Sequence, residues 1–327
     1  MTEIIRKAMD IAREDIPKGH VATYIPELGK VDPNQLGICL YPLEGDKICL
    51  GDYDVRFTMQ SVSKIIMLIL ALEICGSKNV FKKVGMEPSG EAFDSLVELD
   101  INHSRPYNPL INSGALAVCG LLLPEVSFQD VLRYTKKVCS DMDVELNEEV
   151  FDSEMKNCSR NRSIAYLLES KGIIRTDVED TLKFYTKMCS MSVNAVSLAN
   201  LGRKLANSGV SASDGKRYMS SSTARIVKTL MLTCGMYDGS GTFAIKVGIP
   251  SKSGVGGGLL SVSDKRAGIG VFGPALDSRG NSIAGCRLLR EISNDLRLNL
   301  FFDPEWEMED EDDEVIQDIR KGSIIKD

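Results

Sequence analysis

Between Gln60 and Gly76 the chain is apolar on almost every side of a helical projection, with a serine near its start and a glycine at its end. That pattern predicts one buried helix. Thr2 to about Ile16 has helical periodicity, and a stretch punctuated by proline and glycine follows. Two short β-like runs, Gly37–Tyr41 and Lys47–Leu50, flank Glu44-Gly45-Asp46 and predict a hairpin. From about 77 to 235 the pattern is predominantly helical, with capping signals at Ser127/Asp130 and Thr176/Glu179. Strand character returns at Gly257–Val262 and Ala267–Phe272, and an amphipathic helix covers about Ser282 to Leu298.

The loops between consecutive strands are too short for parallel crossovers, so the pattern implies an α+β chain. One antiparallel sheet, covered by the terminal helices, is expected from 1–76 and 236–300. An all-α subdomain is expected over 77–235 and a tail over 301–327. The active site belongs in the cleft between sheet and helices.

The buried helix opens with Ser61-Val62-Ser63-Lys64. A serine hydroxyl needs a neighbouring base to become a nucleophile, and residues three apart on a helix share a face about 5–6 Å apart at Cβ. Burial disfavours an ammonium ion, which suits a lysine to the role of base. The helix start also offers free N–H groups to a developing oxyanion. Ser-x-x-Lys recurs at Ser153/Lys156 and Ser213/Lys216, so spacing alone says little. Only the Ser61 match heads a helix too apolar to face water and has a later partner motif, Lys252-Ser253-Gly254, at the start of a glycine-rich strand-like run. The pair of motifs points to serine acyl-transfer chemistry.

Composition removes alternatives. The two histidines, His20 and His103, lie in polar or loop-like stretches and argue against a Ser-His-Asp triad. Nine scattered cysteines without a Cys-x-x-Cys pair read as reduced, mostly buried thiols, neither a disulfide framework nor a zinc site. The charged start Met1–Lys7 lacks the apolar core of a secretory signal, and no apolar stretch reaches spanning length. A cytoplasmic protein without membrane contact is expected. The net charge of −7 comes from the tail: residues 301–319 carry ten acids and no base, leaving residues 1–300 close to neutral. Nothing indicates nucleic acid.

Several further segments share order and spacing with one family. They are Tyr24-Ile25-Pro26-Glu27-Leu28, Gln60–Lys64, Asn108–Ala115, Ser153-Glu154 through Arg160-Asn161, Phe184-Tyr185, Met236-Tyr237-Asp238 and Lys252–Gly258. Over about residues 10 to 300 the chain resembles the serine-dependent glutaminases, built on the serine β-lactamase/penicillin-binding-protein-like fold. The resemblance implies hydrolysis of L-glutamine to L-glutamate and ammonia, with Ser61 forming a γ-glutamyl ester and Lys64 as its base. It gives Tyr237 the second proton shuttle and Tyr185 a contact to leaving group or substrate. It places the oxyanion between the N–H groups of Ser61 and Val255, and the substrate ammonium on Glu154. Asn112, Asn161 and Tyr24 would hold the α-carboxylate, and Gln60 would complete the substrate site. It implies no cofactor and no metal, and a homo-oligomer, dimer or tetramer. Lys-Thr-Gly of the β-lactamases appears here as Lys-Ser-Gly, and no clear Ser-Asp-Asn element is present, so β-lactam hydrolysis is not implied. Lys252 is left between orienting the proton relay and holding the strand. An esterase or amidase of the same fold and a catalytically dead binding protein are the competing readings. Glu154 speaks against the first and intact Ser61, Lys64 and Tyr237 against the second. The Gly- and Pro-punctuated Tyr24 segment suggests a lid.

Overall fold

The computed structural model describes residues 1–90, 95 and 105–302. The acidic run from 303 onward and His103 lie outside the described residues. The first part of the chain contributes α1 (Thr2–Arg13), β1 (Gly37–Pro42), β2 (Ile48–Gly51), β3 (Phe57–Thr58), α2 (Ser63–Ile74) and α3 (Ser77–Lys83). The middle contributes α4 (Asn112–Leu122), α5 (Phe128–Cys139), β4 (Glu145–Leu146), α6 (Glu148–Lys156), α7 (Ser159–Ser170), α8 (Val178–Cys189), β5 (Met191–Val193), α9 (Ala195–Ala206) and α10 (Ser221–Cys234). The last part adds α11 (Ser240–Lys246), β6 (Ser251–Ser253), β7 (Gly258–Ser263), β8 (Ala267–Phe272) and α12 (Ile283–Asp295).

The fold is α+β. Five strands form an antiparallel sheet in the order β2-β1-β8-β7-β6. Period-2 alternation sorts its two faces. Ile38, Leu40, Ile269 and Val271 pack with Ile5, Met9, Leu288 and Ile292 of α1 and α12. Cys39 points the other way, onto Ala195 and Ala199 of α9. On that second face β8 carries Gly268 and Gly270, where a Cβ would sit 2.0 Å from Arg203 N and 2.0 Å from Ala195 O. Only glycine lets α9 lie this close to the sheet.

The largest core surrounds α2, whose residues Ser63 to Leu72 are all buried. Leu116, Leu182, Met188 and Leu230 belong to the same cluster. Each buried leucine or isoleucine favours the folded state by roughly 2 kcal/mol over exposure. The N-terminal end of α2 is therefore held by packing on all sides.

Three local expectations need correction. The helix expected from Gln60 divides into a 3-10 turn, Gln60–Val62, and an α-helix that begins at Ser63, so Ser61 lies in the turn ahead of the α-helix. The cap expected at Thr176 is Asp177, which accepts from Asp180 N, while Thr176 bonds the Thr181 hydroxyl at 2.7 Å. A second sheet, β3-β5-β4, takes two of its three strands from the helical middle. Its strands are two or three residues long, too short to show alternation. Phe57 of β3 stacks on Phe272 of β8 with centroids 4.5 Å apart, joining the two sheets just ahead of Ser61. No helix among the described residues is long and apolar enough to cross a membrane.

Candidate active site

The turn that carries Ser61 is strained and pinned. Gln60 has φ of 46°, in the left-handed region that costs a non-glycine residue of order 1–3 kcal/mol. Three hydrogen bonds hold it there. Ser63 Oγ donates to Gln60 O at 2.7 Å, and Gln60 Nε2 donates to Thr58 Oγ1 at 3.3 Å and Glu154 Oε2 at 3.4 Å. Ser61 is thereby presented at a buried position with 8% exposure. Its N–H belongs to the first turn of a helix, where donors have no acceptor within the helix.

Lys64 is fully buried one turn further on. Its Nζ donates to Leu110 O at 3.1 Å and Asn112 Oδ1 at 2.7 Å. Asn112, the first residue of α4, passes the order along: its Nδ2 donates to Asn161 Oδ1 at 2.9 Å, and Tyr185 Oη donates to Asn112 Oδ1 at 3.5 Å. One asparagine thus fixes the lysine, a second asparagine and a tyrosine.

Tyr237 is the second buried group in contact with Ser61. It too has a left-handed φ, 54°. Its side chain shares a hydrogen bond with Ser61, and its Oη donates to Ser253 O at 3.3 Å. Burial pushes the phenol well up, with the Ser61 bond opposing, so Tyr237 rests with its proton on. Lys252 lies against the Tyr237 ring, Nζ 4.5 Å from the centroid, and donates to Gly235 O at 3.1 Å and Ser253 O at 2.6 Å. Burial, and after it the charge of Lys64, holds Lys252 well below the usual lysine range. Lys252 contacts the ring of Tyr237 and shares the Ser253 carbonyl with its phenol, a connection that the two separate sequence motifs did not reveal.

β6 runs beside the Ser61 turn as the edge strand of the large sheet. A Cβ on Gly254 would lie 2.7 Å from Met59 O, and one on Gly256 would lie 2.7 Å from Thr58 O. Glycines on both sides of Val255 allow this approach, which brings Val255 to the cavity that Ser61 also lines.

A cavity of about 240 Å³ opens here, lined by Tyr24, Gln60, Ser61, Asn112, Glu154, Asn161, Tyr185 and Val255. Lys64 and Tyr237, both buried, are not among its lining residues. Tyr24, 58% exposed, stands at the mouth. Glu154, 7% exposed, faces inward. Burial raises its carboxyl to about 7, against the Gln60 hydrogen bond and the Lys64 charge. Asn157, Cys158 and Arg160 also line the cavity and were not singled out from sequence, although all three fall inside the Ser153–Asn161 segment. Cys158 Sγ donates to Met155 O at 3.0 Å, and burial keeps its thiol above the ordinary value.

The glutaminase family model matches residues 19–301. The chain belongs to the glutaminase family. It is similar to the glutaminase of Clostridium tetani, 48% identical over 305 residues that cover 92% of this chain and all of that relative. It is 46% identical to the glutaminase of Fusobacterium nucleatum over the same coverage. Among solved structures it is similar to the Bacillus subtilis glutaminase in covalent complex with 5-oxo-L-norleucine, formed by reaction with 6-diazo-5-oxo-L-norleucine. That match has 35% identity and a TM-score of 0.83, over 91% of this chain and 98% of that one.

Proposed function

We propose that this glutaminase-family enzyme hydrolyses L-glutamine to L-glutamate and ammonia through a γ-glutamyl ester on Ser61. The observation that carries the proposal is the hydrogen-bonded set around one serine: Tyr237 bonded to its side chain, Lys64 buried one turn away, and two backbone segments beside it. Ser61 Oγ attacks the side-chain amide carbon, and its proton passes to Lys64. The N–H groups of Ser61 and Val255 receive the oxyanion. Tyr237, protonated at rest, returns a proton to the departing nitrogen, and ammonia leaves. Water then attacks the ester, the same groups run in reverse, and Ser61 is released.

Recognition falls to the other wall. Glu154 meets the α-ammonium, while Asn112, Asn161 and Tyr24 hold the α-carboxylate, with Gln60 and Tyr185 closing the sides. A buried carboxylate raised to about 7 is costly in an empty cavity and is neutralised by a cationic ligand. An uncharged ester would give it no partner. The cavity thiol, Cys158, is the other nucleophile on hand, but burial keeps it protonated. The covalent complex of the Bacillus subtilis relative supports a nucleophilic route.

Ammonia release from L-glutamine, D-glutamine and L-asparagine, measured beside the Ser61→Ala variant, tests the proposal. Turnover is expected with L-glutamine and is expected to vanish in the variant. Full activity in Ser61→Ala would overturn the mechanism, and release from none of the three amides by folded protein would overturn the substrate.

A further inference from the structure

The hairpin at the sheet's far edge holds chemistry that glutamine hydrolysis does not use. Cys39 and Cys49 are register partners across β1 and β2, and their sulfurs lie 2.8 Å apart. Ordinary contact between unbonded carbon atoms is roughly 3.5–4.0 Å, and sulfur is larger. Directly opposed residues of antiparallel strands have Cα atoms about 4.5 or 5.5 Å apart, and a disulfide spans roughly 4.4–6.8 Å, so the register puts both residues within disulfide reach. The two thiols differ in access. Cys39 is buried beneath α9, whereas Cys49 is half-buried on the edge strand β2.

We propose that Cys39 and Cys49 are an oxidation site, closing a reversible cross-strand disulfide when the protein meets a hydroperoxide. The hydrogen bond with Cys39, and then the charge of Lys47, hold Cys49 below the ordinary thiol value, while the same bond and burial raise Cys39. Cys49 is therefore the attacking thiolate. Its sulfur takes the terminal oxygen of the peroxide, the O–O bond breaks, and the displaced oxygen leaves as water or alcohol after taking a proton. Cys39 sulfur then attacks the Cys49 sulfenic acid, the S–O bond breaks, and the hydroxide released takes the Cys39 proton to leave as water. The thiols lose two electrons and two protons, and the peroxide gains them. A dithiol reductant reverses the step.

Full-length protein is titrated with hydrogen peroxide, alkylated, digested and mapped by mass spectrometry. A peptide pair joined through Cys39 and Cys49 is expected, lost on reduction with dithiothreitol. The half-buried Cys75 and Cys286 serve as internal controls and are expected to stay alkylatable. Closing this short loop raises the thermal midpoint by roughly 5 °C. Cys39→Ala removes both the resolving thiol and the hydrogen bond that lowers Cys49, so it is expected to abolish the link and to slow peroxide oxidation of Cys49. Cys49→Ser is expected to abolish the link and to retain turnover, which separates this site from the catalytic proposal. Peroxide that leaves both thiols free, or that links either to another cysteine first, would overturn the inference.

Discussion

The two ends of the cavity are built by different means. At the Ser61 end, position comes from the backbone: two residues in left-handed conformation, Gln60 and Tyr237, two glycines that admit β6 against the turn, and carbonyls that receive both buried lysines. At the Glu154 end, position comes from side chains of separate helices: Gln60 to Glu154, Asn112 to Asn161, Tyr185 to Asn112. The first end is assembled without ligand. The second holds a destabilised acid that a cationic ligand would settle. The contrast is the one expected of an enzyme that invests rigidity where charge develops in the reaction and leaves unmet charge where the substrate brings its own.

Mutations at the two ends should therefore fail in different ways. The largest effect is expected at the Ser61 end, where Lys64→Ala lowers kcat by about 100- to 10,000-fold with little change in KM. A loss confined to KM would place Lys64 with the recognition residues and erase the distinction. Next is Glu154→Gln, expected to cost about 10- to 100-fold in kcat/KM for L-glutamine, chiefly through KM.

The same substitution should act oppositely on stability. The folded Glu154 carboxyl titrates near 7, above its ordinary 4.5, so the native state binds the proton more tightly than the unfolded chain. Stability is then full below pH 4.5 and is lost as pH rises toward 7. The penalty at pH 8 is about 3 kcal/mol. Glu154→Gln should melt above the wild type at pH 8, with the gap closing at pH 4.5. Calorimetry at both pH values checks it, and a variant that melts lower at pH 8 would contradict the assignment of a strained acid.

A smaller effect follows from the same group. KM for L-glutamine should rise several-fold as pH falls from 8 to 6, because Glu154 protonates in the empty cavity, while kcat, measured with substrate bound, should lack that step. The smallest is at the mouth, where Tyr24→Phe should change KM by only a few-fold. No change in either constant would remove the lid and carboxylate roles together.

The same division decides what could be read from the sequence. Ser61 and Lys64 sit three residues apart at the head of an apolar run, and Lys252–Gly258 is strand-like, so spacing together with that context discloses these residues, whereas Tyr237 came only through the resemblance. The long sheet was legible because β1, β7 and β8 alternate or carry glycine over six residues each. What spacing does not carry is contact between distant positions. Gln60 meets Glu154 across 94 residues, and nothing local marks Glu154 as buried. The left-handed backbone of Gln60 and Tyr237 also has no signature, since neither residue type favours it. The cap moved from Thr176 to Asp177 because both types cap well and the choice depends on which side chain reaches the first turn. The Glu154 end became visible before the structure only through family resemblance.

The central claim is that Ser61, and not the cavity thiol Cys158, carries the acyl group. Labelling with 6-diazo-5-oxo-L-norleucine followed by peptide mapping tests it most directly. A single adduct is expected on the peptide that contains Ser61, absent from Ser61→Ala and unchanged in Cys158→Ala. An adduct on Cys158, or equal labelling of Ser61→Ala, would contradict it.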